Sequence, residues 1–422
     1  MACPPRRPPW PPPYRSLDLL WSLAGGAAFL ADLGADAWVA VRFWKAGRAD
    51  WALLVLGLAG LSSLVTQAFS WAWHRGDPPE LRRGLPSGPA WLALHVLQLG
   101  YLYRCLHALK VGFNVCRTEA ATETQRAYAI FLSHDISLLR LFETFLESAP
   151  QLTLMLYIIL HTNKVAIFQI LGICTSFFCI VWTLLDYHQT LRSFLQEKYK
   201  LDFLSSVLYF LWNFLLVCPR ILSLAVFAVL FPNYIFLHFL GVWSVMFLWV
   251  SLQGTDFMEN TCEWVYRAVV AVILYFCWFN VAAGKTCHRA GIYHTFILLD
   301  SIILSVSWLW HNTPLSRDSY IIHALFAALP CYLLGIILRG IYYKFFHPTV
   351  QTVSPNIYDE VDTQETVSDR TIGFQVVVDH RISTSVMRHV NRRTYKLSQN
   401  FFVNTLQDKH PLQNGTLGDV YL

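Results

Sequence analysis

A chain of 422 residues that is 55% hydrophobic and only 14% charged is too poor in charge for a water-soluble globule, in which about a quarter of residues are charged. Its mean hydropathy of +0.41 instead points to a polytopic membrane protein. The net charge of +5 is spread over loops and tail with no basic patch, which argues against a nucleic-acid binder.

The chain opens on a proline-rich stretch (Pro4, Pro5, Pro8, Pro9 and Pro11 to Pro13) with Arg6, Arg7 and Arg15. No small-residue cleavage pattern precedes the first apolar run, so that run is expected to act as an uncleaved anchor. Runs long enough to cross a bilayer, about 20 apolar residues each, fall near 17–44, 51–74, 88–108, 136–160, 165–187, 203–231, 233–252, 264–283, 291–310 and 321–343. The expected fold is therefore an all-α bundle of about ten hydrophobic helices, some of them half-spanning. The 88–108 run carries Arg104 and is flanked by His95 and His107, which makes it the candidate for a partial crossing. Between 203 and 252 only Pro232-Asn233 signals a break.

Composition turns polar beyond Tyr343. The predicted organisation is a cytosolic N-terminus over 1–16, a membrane domain over 17–345 and a cytosolic regulatory tail over 346–422. Residues 353–369 read as disordered. Further on, the basic run Arg388, Arg392, Arg393, Lys396 precedes Phe401, Phe402, Val403 and Leu406, a pattern open to two readings: a short amphipathic helix or an unstructured tail.

The apolar runs carry acids. Asp32 and Asp36 lie one helical turn apart, as do Glu143 and Glu147, and Asp186, Arg220 and Asp300 lie in or at the ends of three more runs. An ionisable group inside a membrane helix costs roughly 2.5–3.5 kcal/mol even on lenient scales and persists where it faces a partner or a polar path. Spacing of i, i+4 puts each carboxylate pair on one helix face, which must point inward. The structural alternative is pairing with Arg140, Arg220 or Arg104 to hold helices together. The acids outnumber these bases, which favours a hydrated, negatively lined pathway with structural pairs inside it. Trp51, beside Asp50 at the start of the second run, reads as an interface anchor or as a gate at the mouth of such a path.

Enzymatic signatures are missing. There is no H-E-x-x-H metal pattern and no G-x-S-x-G elbow, and Gly284-Lys285-Thr286 lacks the first glycine of a phosphate loop, Phe279 standing there. His134-Asp135 and Asp186-Tyr187-His188 are isolated juxtapositions. The ten cysteines form no CxxC pair and support no disulfide framework. Asn414-Gly415-Thr416 matches a glycosylation acceptor in a tail expected to be cytosolic, hence silent. No cofactor or metal site is expected. The sharpest short motif is Asp359-Glu360-Val361-Asp362-Thr363, the preferred sequence of executioner caspases, cut after Asp362. It lies in a polar segment able to enter a protease cleft as an extended strand.

Several longer strings carry a family likeness: 27–34 (AAFLADLG), 139–147 (LRLFETFLE), 149–152 (APQL), 185–188 (LDYH), 252–258 (LQGTDFM) and 278–282 (WFNVA). Over about Leu17 to Tyr343 the chain resembles the XK-related family of membrane proteins. The resemblance implies an all-helical domain of pseudo-repeats with some helices entering only part-way. It implies calcium-independent, bidirectional phospholipid transfer at the plasma membrane, exposing phosphatidylserine in apoptosis once caspases remove the tail. It further implies a single-span immunoglobulin-type subunit, basigin or neuroplastin. By position, the family's charged ladder corresponds to Asp18, Asp32, Asp36, Glu143, Glu147, Asp186, Arg220 and Asp300, and its gating aromatic to Trp51. Buried charges of this kind would equally serve an ion or solute channel or transporter, while a membrane scaffold would transport nothing.

Overall fold

The computed structural model describes residues 13–346 apart from 78–80, 83, 87, 119–120, 163–166, 195–199, 256, 259–261, 282–285 and 311–318. The described residues form twelve α-helices: α1 (Ser16–Lys45), α2 (Ala49–Gly76), α3 (Pro89–Val96), α4 (Gly100–Arg117), α5 (Glu123–Leu146), α6 (Ser148–Thr162), α7 (Ile167–Phe194), α8 (Phe203–Leu230), α9 (Tyr234–Gln253), α10 (Glu263–Phe276), α11 (Thr286–Trp310) and α12 (Ser319–Ile341). A five-residue π turn, Tyr342–Phe346, follows. The tail from 347 on, with the Asp359–Thr363 motif, lies outside the described residues.

The helical membrane bundle is as expected, but two apolar runs each prove to be two helices. The run at 88–108 breaks at Gln98, whose backbone takes φ 61, a conformation unfavourable for a side chain bearing a Cβ. It is held there by α2: Ser63 donates to Gln98 Oε1 at 2.6 Å and Gln67 to the Gln98 carbonyl at 3.0 Å. The resulting eight-residue α3 is only about 12 Å long at 1.5 Å per residue, too short to cross. The run at 136–160 breaks at Glu147 (φ −123, ψ −71). Pro150 accounts for this, since it has no N–H to carry the ladder back to the Leu146 carbonyl, whereas in the first turn of a new helix that N–H is not needed. The break at Pro232-Asn233 is present: α8 ends at Leu230 and α9 starts at Tyr234.

Among the described residues, six helical stretches are long and apolar enough to span a bilayer: α1, α2, α8, α9, Thr286–Trp308 and Leu325–Phe346. They differ in what they cover. α1 and α2 form a hairpin turned by Gly47, whose φ of 73 only glycine adopts at no cost. α5 is the central element, buried almost throughout from Ala127 onward and packed on α2, α4, α7 and α10. Its start is set by a capping box in which Thr122 accepts from Gln125 N and Gln125 reaches back to Thr122 N. α8 organises the second half, packing on α6, α7, α11 and α12.

Candidate functional site

α1 shows why a polar interior forms. Leu17, Leu20, Leu23, Leu30, Leu33, Trp38, Val41 and Trp44 are exposed and suit acyl chains. The inward stripe runs instead through Asp18, Gly25, Phe29, Asp32, Asp36 and Ala40, positions that share one helical face. From Asp18 to Asp36 this stripe is about 27 Å long at 1.5 Å per residue, close to the thickness of a bilayer's hydrocarbon core.

Two polar centres meet this inner surface or lie beyond it. In the first, α1 faces the α5–α6 break. Carboxylate oxygens of Asp32, Asp36 and Glu147 lie within 4.8 Å of one another. Ser148 donates to Asp32 Oδ2 at 3.0 Å and Gln151 Nε2 to Asp36 Oδ2 at 2.9 Å. Glu143, one turn before Glu147, is buried at 8% exposure. None of these four acids has a described arginine or lysine within 4 Å. One helical turn further back, Arg140 Nη1 pairs with Asp186 Oδ2 of α7 at 3.1 Å. Its guanidinium lies so close to α1 that a Cβ on Gly25 would sit 1.8 Å from Nη1, so only glycine leaves room there. The three clustered carboxylates form an oxygen-only set of the kind hard divalent cations take.

The second centre ties α8 to α9, α10 and α11. Arg220 is fully buried and makes three kinds of bond. Nη1 reaches Asp300 Oδ2 at 2.5 Å and Ser301 Oγ at 3.2 Å, and Nε donates to the Tyr275 carbonyl at 3.1 Å. His238 Nε2 lies 3.0 Å from Asp300 Oδ1, and its Nδ1 is 3.0 Å from the Tyr275 hydroxyl. Since a carboxylate only accepts, His238 Nε2 must be the protonated nitrogen.

The expected site residues therefore divide. Asp32, Asp36, Glu143 and Glu147 come together, with Asp186 next to them through Arg140. Arg220 and Asp300 form their own centre. Asp18 stands apart at one end of the bundle, where it accepts from Arg15 N at 2.8 Å and meets Lys200 Nζ at 2.8 Å. Trp51 sits at the opposite end of the α1–α2 hairpin, edge-on to Phe43 at 5.5 Å with the Arg48 guanidinium 4.1 Å over its ring.

Sequence reasoning missed several partners. Arg104, one of the cations offered to the pathway acids, instead pairs with Asp135 at 2.9 Å, both about 1% exposed, and also bonds Ser70. In the sequence Asp135 stands out only as the neighbour of His134. Ser148 and Gln151 carried a signal, as polar residues directly after Glu147. His238 carried another, as a single histidine in an otherwise apolar run. Tyr275 carried none.

A family model described as XK-related protein matches residues 20–348. XK-related protein 8 of the chimpanzee is 47% identical over 386 residues, covering 91% of this chain and 94% of that protein. Proteins of the same name from the fishes Gasterosteus aculeatus and Tetraodon nigroviridis are each 44% identical, covering 79% and 80% of this chain and 85% of each relative.

Proposed function

The chain belongs to the XK-related family, and we propose that it is an energy-independent phospholipid scramblase, switched on when an executioner caspase cuts its tail after Asp362. The observation that carries this reading is the set of four acids where α1 meets α5, none with a described arginine or lysine within 4 Å, with the Arg140–Asp186 and Arg220–Asp300 pairs deeper in the bundle. A phospholipid crosses a bilayer slowly because its charged head must shed water, and burying charge without a partner is very costly. Side chains that replace water along the way lower that barrier while the acyl tails stay in lipid. The acids meet choline or amine groups, and the arginines meet phosphate. Because lipid moves downhill in either direction, no nucleotide, metal or chemical step is required, and calcium removal leaves transfer unchanged.

In this reading the protein resides in the plasma membrane with both termini cytosolic, since caspases are cytosolic. A single-span immunoglobulin-type subunit, basigin or neuroplastin, accompanies it to the surface, and transfer exposes phosphatidylserine in dying cells. The cut releases 60 residues, 422 minus 362, and shifts a closed state towards an open one. A second reading, a cation pore, is favoured by one feature: three carboxylates within 4.8 Å of one another with no basic partner among the described residues.

Reconstitution of cut and uncut protein in liposomes decides between them. A scramblase exchanges labelled lipid after the cut with little ion leak, and Asp362→Ala stays silent when caspase is added. Ion leak without lipid exchange selects the pore, and exchange in caspase-treated Asp362→Ala removes the cut as the switch.

A further inference from the structure

Two of the strings that carry the family likeness, 252–258 and 278–282, serve neither polar centre. Gln253 of the first and Trp278, Phe279, Asn280 and Val281 of the second meet at a small cavity between the end of α9, the segment after α10 and the start of α11. The cavity measures about 10 Å³, the room that one water-sized particle needs for its centre. Its polar lining is Trp278, Asn280, Gln253 and Arg289; the rest is apolar or aromatic, and no carboxylate lines it.

The lining is rich in donors. Trp278 Nε1 is buried and bonds to no described residue, and a buried donor left unbonded is costly. Arg289 Nη1 donates to Gln253 Oε1 at 3.3 Å, which occupies the acceptor of that amide and leaves its Nε2 hydrogens without a bond among the described residues. Asn280, 2% exposed, brings a second amide. The local charge is positive as well. The Arg339 guanidinium stands 5.8 Å from the Trp278 ring, 5.1 Å from Trp212 and 5.5 Å from Tyr343. It is 8% exposed and has no described Asp or Glu within 4 Å. Rings attract a cation but carry no net charge to cancel it. Its Nη1 meets His294 Nε2, and since a guanidinium only donates, that nitrogen accepts and the imidazole is neutral.

We propose that this cavity is a binding site for one small monovalent anion, a halide such as chloride. Trp278 Nε1 and the Arg289 guanidinium donate to it, the amides of Gln253 and Asn280 close the shell, and Arg339 adds positive potential from beside Trp278. A water molecule would satisfy the same donors but leave Arg339 uncompensated, and charge buried without a counter-charge is very costly. A phosphate or carboxylate, with several heavy atoms, exceeds the space. The bound anion ties α9, the segment after α10 and α11 together. This site goes beyond the scramblase reading and does not depend on it.

The test is thermal melting of the full-length protein in detergent while sodium chloride replaces sodium gluconate at constant ionic strength, gluconate being too large for the cavity. The melting temperature should rise with chloride and then saturate, and bromide should act likewise. Trp278→Phe keeps an aromatic ring but lacks the donor, so the midpoint of the rise should move to about tenfold higher chloride, the scale of one charge-assisted hydrogen bond. Arg289→Gln should abolish the saturable rise, whereas Arg42→Gln, on α1 and away from the lining, should keep it. The readout is the dependence on chloride rather than the melting temperature itself, so a less stable variant still reports. Should Arg289→Gln fail to fold, Trp278→Phe carries the test. Equal melting in the two salts means that the cavity holds water only and overturns the site. A rise that never saturates, a Trp278→Phe midpoint equal to that of wild type, or an equal loss in Arg42→Gln overturns it as well.

Discussion

The two polar centres are built on opposite principles. Around Arg220 the charges cancel, with guanidinium, carboxylate, imidazole and tyrosine linked in one network that joins α8, α9, α10 and α11. Around Asp36 three carboxyl groups share a space with no described arginine or lysine within 4 Å, and Ser148 and Gln151 donate to two of them. The first arrangement is what holding helices together requires. Under the scramblase reading proposed above, the second set is left open for a passing headgroup. The two centres thus differ in whether the partners of the buried charge are already built in.

The sharpest way to break that distinction is Arg220→Ala. It leaves Asp300 and His238 without their cation, and removing one partner of a buried pair costs roughly 3–5 kcal/mol. Thermal unfolding in detergent and surface expression should both fall. An Arg220→Ala protein as stable as wild type would mean that the α8–α11 network is not structural. Gly25→Ala probes the contact of α1 with the Arg140–Asp186 pair beside the first centre. The new methyl must push the Arg140 guanidinium away from Asp186, and overpacking of this kind costs about 1–3 kcal/mol, read as a lower melting temperature. Gly25→Ala that melts like wild type would show that Arg140 has room elsewhere.

Asp36→Asn makes the opposite demand. The amide can still accept from Gln151, and one unpaired charge disappears, so stability should hold or rise while lipid exchange by the cut protein slows about tenfold, the equivalent of one charge-assisted contact. Loss of stability comparable to that of Arg220→Ala would erase the difference between the centres. The smallest expected effect on stability is that of Trp51→Ala, which removes an edge contact to Phe43 and a stack with Arg48, interactions worth about 1 kcal/mol together at an exposed site. If Trp51 gates the outer mouth, the uncut variant exchanges lipid before any caspase is added. Normal expression with no exchange returns Trp51 to an interface anchor.

Much of this was legible in the residues alone. Apolar length set the all-helical membrane bundle, because only a helix satisfies every backbone group within one segment in lipid. The i, i+4 spacing of Asp32 with Asp36 and of Glu143 with Glu147 set the facing of each pair, because that spacing is a property of the helix itself. Tertiary structure decided the rest. Pairing partners lie far apart in the chain, Arg104 with Asp135, Arg140 with Asp186, Arg220 with Asp300, and no local pattern says which cation meets which acid. The break at Gln98 depends on Ser63 and Gln67 of another helix, and hydropathy cannot see a hydrogen bond. Nor could it show which four acids have no arginine or lysine beside them among the described residues, since that is a fact about which side chains fill a shared space once the helices have packed.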